Sequence, residues 1–268
     1  MRLDELLADL QAESANLRSM VGRAGPDALG LATPAAGWTV THQLAHLTWT
    51  DEIATSATAS VVPGVEAPRD WDATLARVTL SPTTFVDEGA HELAGADPTA
   101  LMTRWDAGRA ALAAALRATP EDVRIPWFGT SMKATSMATA RIMETWAHSL
   151  DVAAALDVTP EPTDRIRHVC HLGVATRGFV YAARGLPLPE EPIHVTLTAP
   201  SGTTWSWGDP DAIHRIGGAA WEFAQVAVRR LHPDDTSLVA TEGPAREWLG
   251  IIQAFAGPPG ADPERKRS

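Results

Sequence analysis

The sequence has a single cysteine, Cys170, in 268 residues. One thiol excludes an internal disulfide framework and any cysteine-built zinc module. Lysine is nearly missing, occurring only as Lys133 and Lys266. The cationic work therefore falls to arginine, which grips carboxylates through two parallel hydrogen bonds. Positive charge is short overall: 22 Lys+Arg stand against 33 Asp+Glu, a formal net charge of −11. That balance argues against nucleic-acid binding through phosphate neutralisation. No apolar run reaches the ~18 residues that a membrane-spanning helix needs. The chain opens on Met1-Arg2-Leu3-Asp4-Glu5 and enters an amphipathic, acidic helix, which is not the pattern of a secretory leader. The cytoplasm is the expected location, where a lone thiol stays reduced.

What is present is equally uneven. There are nine histidines, and ten tryptophans against one tyrosine and five phenylalanines. Hydrophobic residues make up 45% and charged residues 21%, the composition of an ordinary globular protein. At about 150 residues per domain the length suggests one to two domains. With one thiol and nine imidazoles, any bound metal must be held by histidine and carboxylate.

Periodicity gives the organisation. Leu3, Leu6, Leu7, Leu10, Leu17, Met20 and Val21 recur at helical spacing and end near Gly22 and Gly25. After the breaker Thr33-Pro34-Ala35-Ala36-Gly37, a second helix is expected from Trp38-Thr39 to about Ser60, with Thr39 as its N-cap. A long connection over about 62–96 is expected to carry short helices near 71–79 and 82–94. Asp97-Pro98 opens a third long helix, which ends before Pro120. Ile125-Pro126-Trp127-Phe128-Gly129 reads as irregular, and a fourth helix follows over about 135–157. Four long amphipathic helices with a crossover between the second and third predict a four-helix bundle over 1–159.

Composition shifts at Pro160-Glu161-Pro162. Beyond it the pattern predicts a helix over about 163–184 and a β-hairpin in which 193–198 faces Thr203 to Trp207. A strand within Asp211–Ile216, a helix over 219–231, a short strand over 237–241 and a helix over 244–255 complete the expectation. Residues 160–258 are thus expected to form a smaller α+β domain. The Pro/Gly-rich, then charged tail at 259–268 is expected to be disordered.

Several constellations could carry chemistry. His42 and His46 lie four apart and share a helix face. In a zincin protease that spacing encloses a glutamate base, but Gln43 stands there, and an amide takes no proton. Glu144 and His148 also lie four apart, with Asp151 one turn on, and such a pair can chelate one cation. On a helical wheel, however, Ile142, Trp146, Leu150 and Ala153 form the core stripe. Glu144, His148 and Asp151 fall on the opposite face, which reads as solvated. His168 and His171 bracket Cys170, and a core cysteine with solvated histidines is the expectation there. Arg141, Arg177 and Arg184 are candidates for an acidic substrate, weighed against plain surface or ion-paired roles. Trp38, Trp49 and Trp146 are candidates to wall a dry pocket, weighed against plain core.

Trp38-Thr39-Val40, Ala45-His46-Leu47 and the run Arg141-Ile142-Met143-Glu144-Thr145-Trp146-Ala147-His148-Ser149-Leu150-Asp151 together resemble the mycothiol-dependent maleylpyruvate isomerase family. That family belongs to the DinB-like group of metal-binding four-helix bundles. The second half resembles the C-terminal domain of uncharacterised actinobacterial members, through Leu197-Thr198-Ala199-Pro200-Ser201-Gly202, Trp205-Ser206-Trp207-Gly208 and 253–260. The Ala- and Arg-rich, Lys-poor composition suits a high-GC actinobacterium. The resemblance implies a metal held by His46, Glu144 and His148, with their face turned into the bundle and not outward. It leaves His42 outside the ligand pattern, as a supporting group, a base or merely a neighbour, while Asp151 could orient His148, act as a base or be structural. Arg141, Trp49 and Trp146 become candidates for contacting the substrate.

Two imidazoles and a carboxylate with open positions form a catalytic divalent-metal arrangement, most often filled by zinc. Such an ion polarises carbonyls or lowers the pKa of a bound water or thiol. The resemblance implies the thiol version: mycothiol, as thiolate, adds to a cis double bond, allows rotation and leaves, or stays on the substrate in related transferases. The expected function is therefore metal- and thiol-dependent isomerisation or S-transfer on a small, electrophilic, carboxylate-bearing molecule. Two alternatives stand beside it. One is thiol-independent hydrolase, lyase or cyclase chemistry in specialised metabolism; the other is a non-enzymatic metal- or ligand-binding role.

Overall fold

A computed structural model of the chain describes residues 1–128, 130–257 and 263–265. The chain divides into two compact units, Met1–Thr159 and Pro160–Ser268. The tail expected to be disordered, 259–268, lies outside the described residues except at 263–265.

The first unit is built on four long helices: α1 (Leu3–Ala24), α2 (Val40–Ala59), α5 (Pro98–Ala118) and α6 (Ala134–Ala155). Two short ones, α3 (Trp71–Leu80) and α4 (Phe85–Ala94), occupy the long connection. Start signals act where the sequence places them. Asp70 and Asp97 accept from the backbone N–H groups of Ala73 and Ala100, and Pro98 sits in the first turn of α5. The stretch expected to be irregular, 125–129, instead begins a small antiparallel ribbon, β1 (Ile125–Trp127) with β2 (Thr130–Met132). Three-residue strands are too short for a period-two pattern to register.

Helix α2 is the central element and packs against α4, α5 and α6. It is buried continuously from Gln43 to Thr58, although many of its residues are polar. Thr48, Thr50, Thr55, Ser56 and Thr58 each return a hydroxyl proton to the carbonyl four residues back, at 2.8–2.9 Å, so their burial leaves no donor unmet. Helix α4 can lie this close because Gly89 faces the Trp49 ring, where a Cβ would overlap it. The apolar core includes Leu10, Leu17, Leu44, Ile53, Trp105, Leu112 and Ile142, all 1% exposed or less.

The second unit carries α7 (Arg167–Ala175), α8 (Arg177–Ala183), α9 (Ala220–Ala227) and α10 (Pro244–Ile251). Its sheet runs β4-β3-β5-β6, with β3 (Ile193–Thr198), β4 (Thr204–Trp207), β5 (His214–Ala219) and β6 (Val239–Ala240). The hairpin β3–β4 is antiparallel with Val195 opposite Trp207, whereas β3 and β5 run parallel with Ile193 opposite His214. After β4 the chain therefore crosses β3. Gly208 makes this turn at φ +85°, with no room for a Cβ beside the Ile193 carbonyl. The single helix expected over 163–184 is broken at Thr176, whose hydroxyl also reaches the Gln253 carbonyl at 2.6 Å. Cys170 is fully buried, but His168 is buried with it and only His171 is exposed, which corrects the expectation of two solvated histidines. Among the described residues no helix is long and apolar enough to cross a membrane.

Candidate metal centre

His46 comes from the first half of α2, and Glu144 and His148 from the middle of α6. Each offers a ligand atom, and the three atoms lie within 4.8 Å of one another. Glu144 Oε2 is 3.4 Å from His46 Nε2 and 3.3 Å from His148 Nε2. Ligand atoms about 2.0–2.1 Å from a tetrahedral zinc stand roughly 3.3 Å apart, so both spacings fit. The side chains of His46, Glu144 and His148 are 7%, 21% and 12% exposed. The face that the wheel marked as solvated is turned inward, because α6 is buried on both flanks and not along one stripe.

Hydrogen-bond direction says more than distance. Thr33 Oγ1 donates its only proton to the Trp38 carbonyl at 2.9 Å. Towards Gln43 it can then only accept, and Gln43 Nε2 donates to it at 2.9 Å. Gln43 Oε1 is thereby left facing His148 Nδ1, which must carry the proton of that hydrogen bond. In the neutral ring, His148 Nε2 holds a lone pair aimed at a carboxylate oxygen. Two acceptors at 3.3 Å repel unless a cation lies between them. A proton would serve one such pair, whereas a divalent ion serves all three atoms at once.

The electrostatics agree. Burial, then the neighbouring His148, pushes the His46 imidazole down to about 4, so protonating that ring is unfavourable. Burial pushes the Glu144 carboxyl up, but its closeness to the His148 and His46 rings and the charge of Arg141 together hold it well below the usual carboxylate range. His46 Nδ1 is buried without a hydrogen-bond partner.

Trp38 covers the cluster. Its ring lies 5.4 Å from His46 and stacks on His148 at 6.0 Å, centroid to centroid. Its indole N–H donates to Asp87 Oδ1 on α4 at 3.1 Å. His91, one turn further along α4, lies 4.6 Å from the His42 ring. His42 accepts the Thr39 backbone N–H at 3.3 Å, the place that Glu or Gln fills in a capping box. Burial, then His91, lowers its pKa.

Several of the other candidates have partners of their own. Arg141 is buried and ion-paired, with Nε 3.1 Å from Asp51 Oδ1 and Nη2 donating to Thr50 Oγ1 at 2.6 Å. Its guanidinium is engaged there and is not held free for a substrate. Arg109 joins the same carboxylate, with Nη2 2.9 Å from Asp51 Oδ2 as an ion pair without hydrogen-bond alignment. Arg177 donates to the Glu191 and Pro189 carbonyls, and Arg184 to that of Ile251. Trp49 is core, edge-on to Phe85 at 4.8 Å. Trp146 and Asp151 are buried on α6, and Gln43 Oε1 faces His148 Nδ1. Sequence reasoning dismissed Gln43 for lacking a base and gave no role to Asp87 or His91. The available signal was that Gln43 lies three residues before His46, on the same side of α2.

A family model described as "Mycothiol maleylpyruvate isomerase N-terminal domain" matches residues 10–153. Two uncharacterized proteins, from two strains of Mycobacterium tuberculosis, are each 43% identical to this chain over 254 residues, covering 95% of it and 96% of their own length. Crystal structures of the mycothiol-dependent maleylpyruvate isomerase and of a histidine-to-alanine mutant superpose with a TM-score of 0.61 at 19% identity. They cover 91% of this chain and 94% of theirs. At that identity the likeness shows a shared fold.

Proposed function

The chain belongs to the family of the mycothiol maleylpyruvate isomerase N-terminal domain, and from that premise we propose that it is a metal-dependent enzyme. His46, Glu144 and His148 hold a divalent cation, with zinc the first choice for two imidazoles and one carboxylate. The observation that carries this reading is the approach of Glu144 Oε2 to two ring nitrogens, one of them an acceptor, with no cation of the protein's own between them. The fold we assign to residues 1–159 is a DinB-like four-helix bundle, with a smaller α+β domain over 160–258.

The reaction we assign is isomerisation or S-transfer on a small, electrophilic, carboxylate-bearing molecule, using a low-molecular-weight thiol. Mycothiol is the thiol named for the solved neighbours. A bound zinc would supply Lewis acidity and keep such a thiol ionised near neutral pH. The protein's own residues do the rest. Gln43 and Thr33 fix the ring of His148. Trp38, tied down by Asp87, shields the histidine faces from water and strengthens electrostatic interactions beneath it. Cys170 is no substitute for the external thiol, because burial pushes its pKa far up, away from a usable thiolate. We assign the protein to the cytoplasm, where such a thiol is kept reduced.

Metal analysis of protein prepared without chelator, followed by an anomalous density map, tests the centre. One zinc per chain at His46, Glu144 and His148 is expected. Turnover of electrophilic cis-alkene carboxylates with and without mycothiol tests the reaction. A metal-free protein would overturn the first assignment. A loaded protein indifferent to mycothiol would overturn the second and favour a thiol-independent metal reaction.

A further inference from the structure

Gln43 is fully buried beside the proposed centre, and its position is fixed from both ends by Thr33 and His148. Histidines that hold a metal usually give their other N–H to a carboxylate, a backbone carbonyl or water. Here the partner is a neutral amide, and Thr33 leaves that amide only one orientation.

Resting on the metal reading above, we infer that Gln43 sets both the ring orientation of His148 and the charge of the centre, so that the loaded site selects a thiolate. The charge count carries the argument. A divalent ion, one carboxylate and two neutral imidazoles sum to one positive charge. The amide leaves that charge in place. A carboxylate at the same position would strengthen His148 as a ligand but cancel it. The nearest guanidiniums, those of Arg141 and Arg109, pair with Asp51 and act equally on either side chain at position 43. The low-dielectric surroundings of a buried site make one unit of charge consequential. Gln43 thus trades some metal affinity for anion affinity, and substitutions there must move the two in opposite directions.

The test uses the full chain and the variants Gln43→Leu, Gln43→Glu and Thr33→Val. Zinc affinity is measured by competition with a chromophoric chelator, and N-acetylcysteine affinity of the zinc-loaded proteins by calorimetry at constant pH. Gln43→Leu is expected to lose about 10–100-fold in zinc affinity, the usual cost of removing a ligand's outer partner. Gln43→Glu is expected to bind zinc at least as tightly as the wild type yet bind the thiol about tenfold more weakly, from one added negative charge. Thr33→Val keeps position 43 intact and only frees the amide to turn, so it carries the test if a Gln43 variant misfolds, with a smaller zinc loss than Gln43→Leu. Wild-type zinc affinity in Gln43→Leu, or undiminished thiol affinity in Gln43→Glu, overturns the inference. A wild-type chain that binds no zinc removes the metal reading itself, and is told apart because it fails before any variant is compared.

Discussion

Helices α2 and α6 each contribute to two buried polar clusters, and the clusters differ in charge. Asp51 from α2 meets Arg141 from α6 and Arg109 from α5: two guanidiniums on one carboxylate, a cluster with more positive charge than it needs. About one turn away, His46 from α2 meets Glu144 and His148 from α6: one carboxylate between two imidazoles, a cluster with three ligand atoms to offer. The first carries its own counter-ions and holds helices together. On the metal reading proposed above, the second is completed by an ion from outside. Burial alone does not separate a structural polar cluster from a functional one, whereas the balance of donors, acceptors and charge does.

The comparison breaks most sharply at Asp51. Asp51→Ala strands two buried guanidiniums and should cost about 3–5 kcal/mol of stability in urea denaturation. Glu144→Gln should cost much less in chelated protein, because the replacement has nearly the same shape and the side chain is 21% exposed. A large destabilisation there would mean that the second cluster is structural too. Zinc at about 100 times its dissociation constant should stabilise the wild type by about 2.7 kcal/mol, and Glu144→Gln should lose most of that gain in melting scans. Gly89→Ala disturbs only the covering layer, pressing a methyl into Trp49 and shifting the helix that anchors Trp38 through Asp87. It should cost about 1–3 kcal/mol and weaken metal retention in dialysis, leaving the Asp51 cluster intact. The smallest effect belongs to Cys170. Native protein should react with a thiol reagent only on unfolding, and Cys170→Ala should leave turnover unchanged; a reactive native thiol would contradict its burial.

Element positions were legible where local chemistry decides them. The cap at Asp97 and the proline at Pro98 mark a helix start through their own hydrogen bond and dihedral. Three features were not. The break at Thr176 depends on a partner, the Gln253 carbonyl, 77 residues away in sequence. The parallel pairing of β3 with β5 depends on the crossing at Gly208, which strand periodicity does not encode. Helix α2 has no face to read, since it is buried all round. The same limit hid the orientation of Glu144 and His148 until family resemblance supplied it. It hid Gln43 as well, whose role rests on a proton count running through Thr33 and Trp38.

By itself the sequence determined what chemistry was available. One cysteine left imidazole and carboxylate as the only ligands for a metal, and the turn-apart spacing of Glu144 and His148 put two of them on one helix face. Only the tertiary structure decided which candidates meet. It brought His46 across to that pair, gave Arg141 to Asp51, and turned the Gln43 amide to His148. The physical reason is that side-chain spacing along a helix is a local property, while a cluster of ligand atoms from two helices exists only once those helices have packed together.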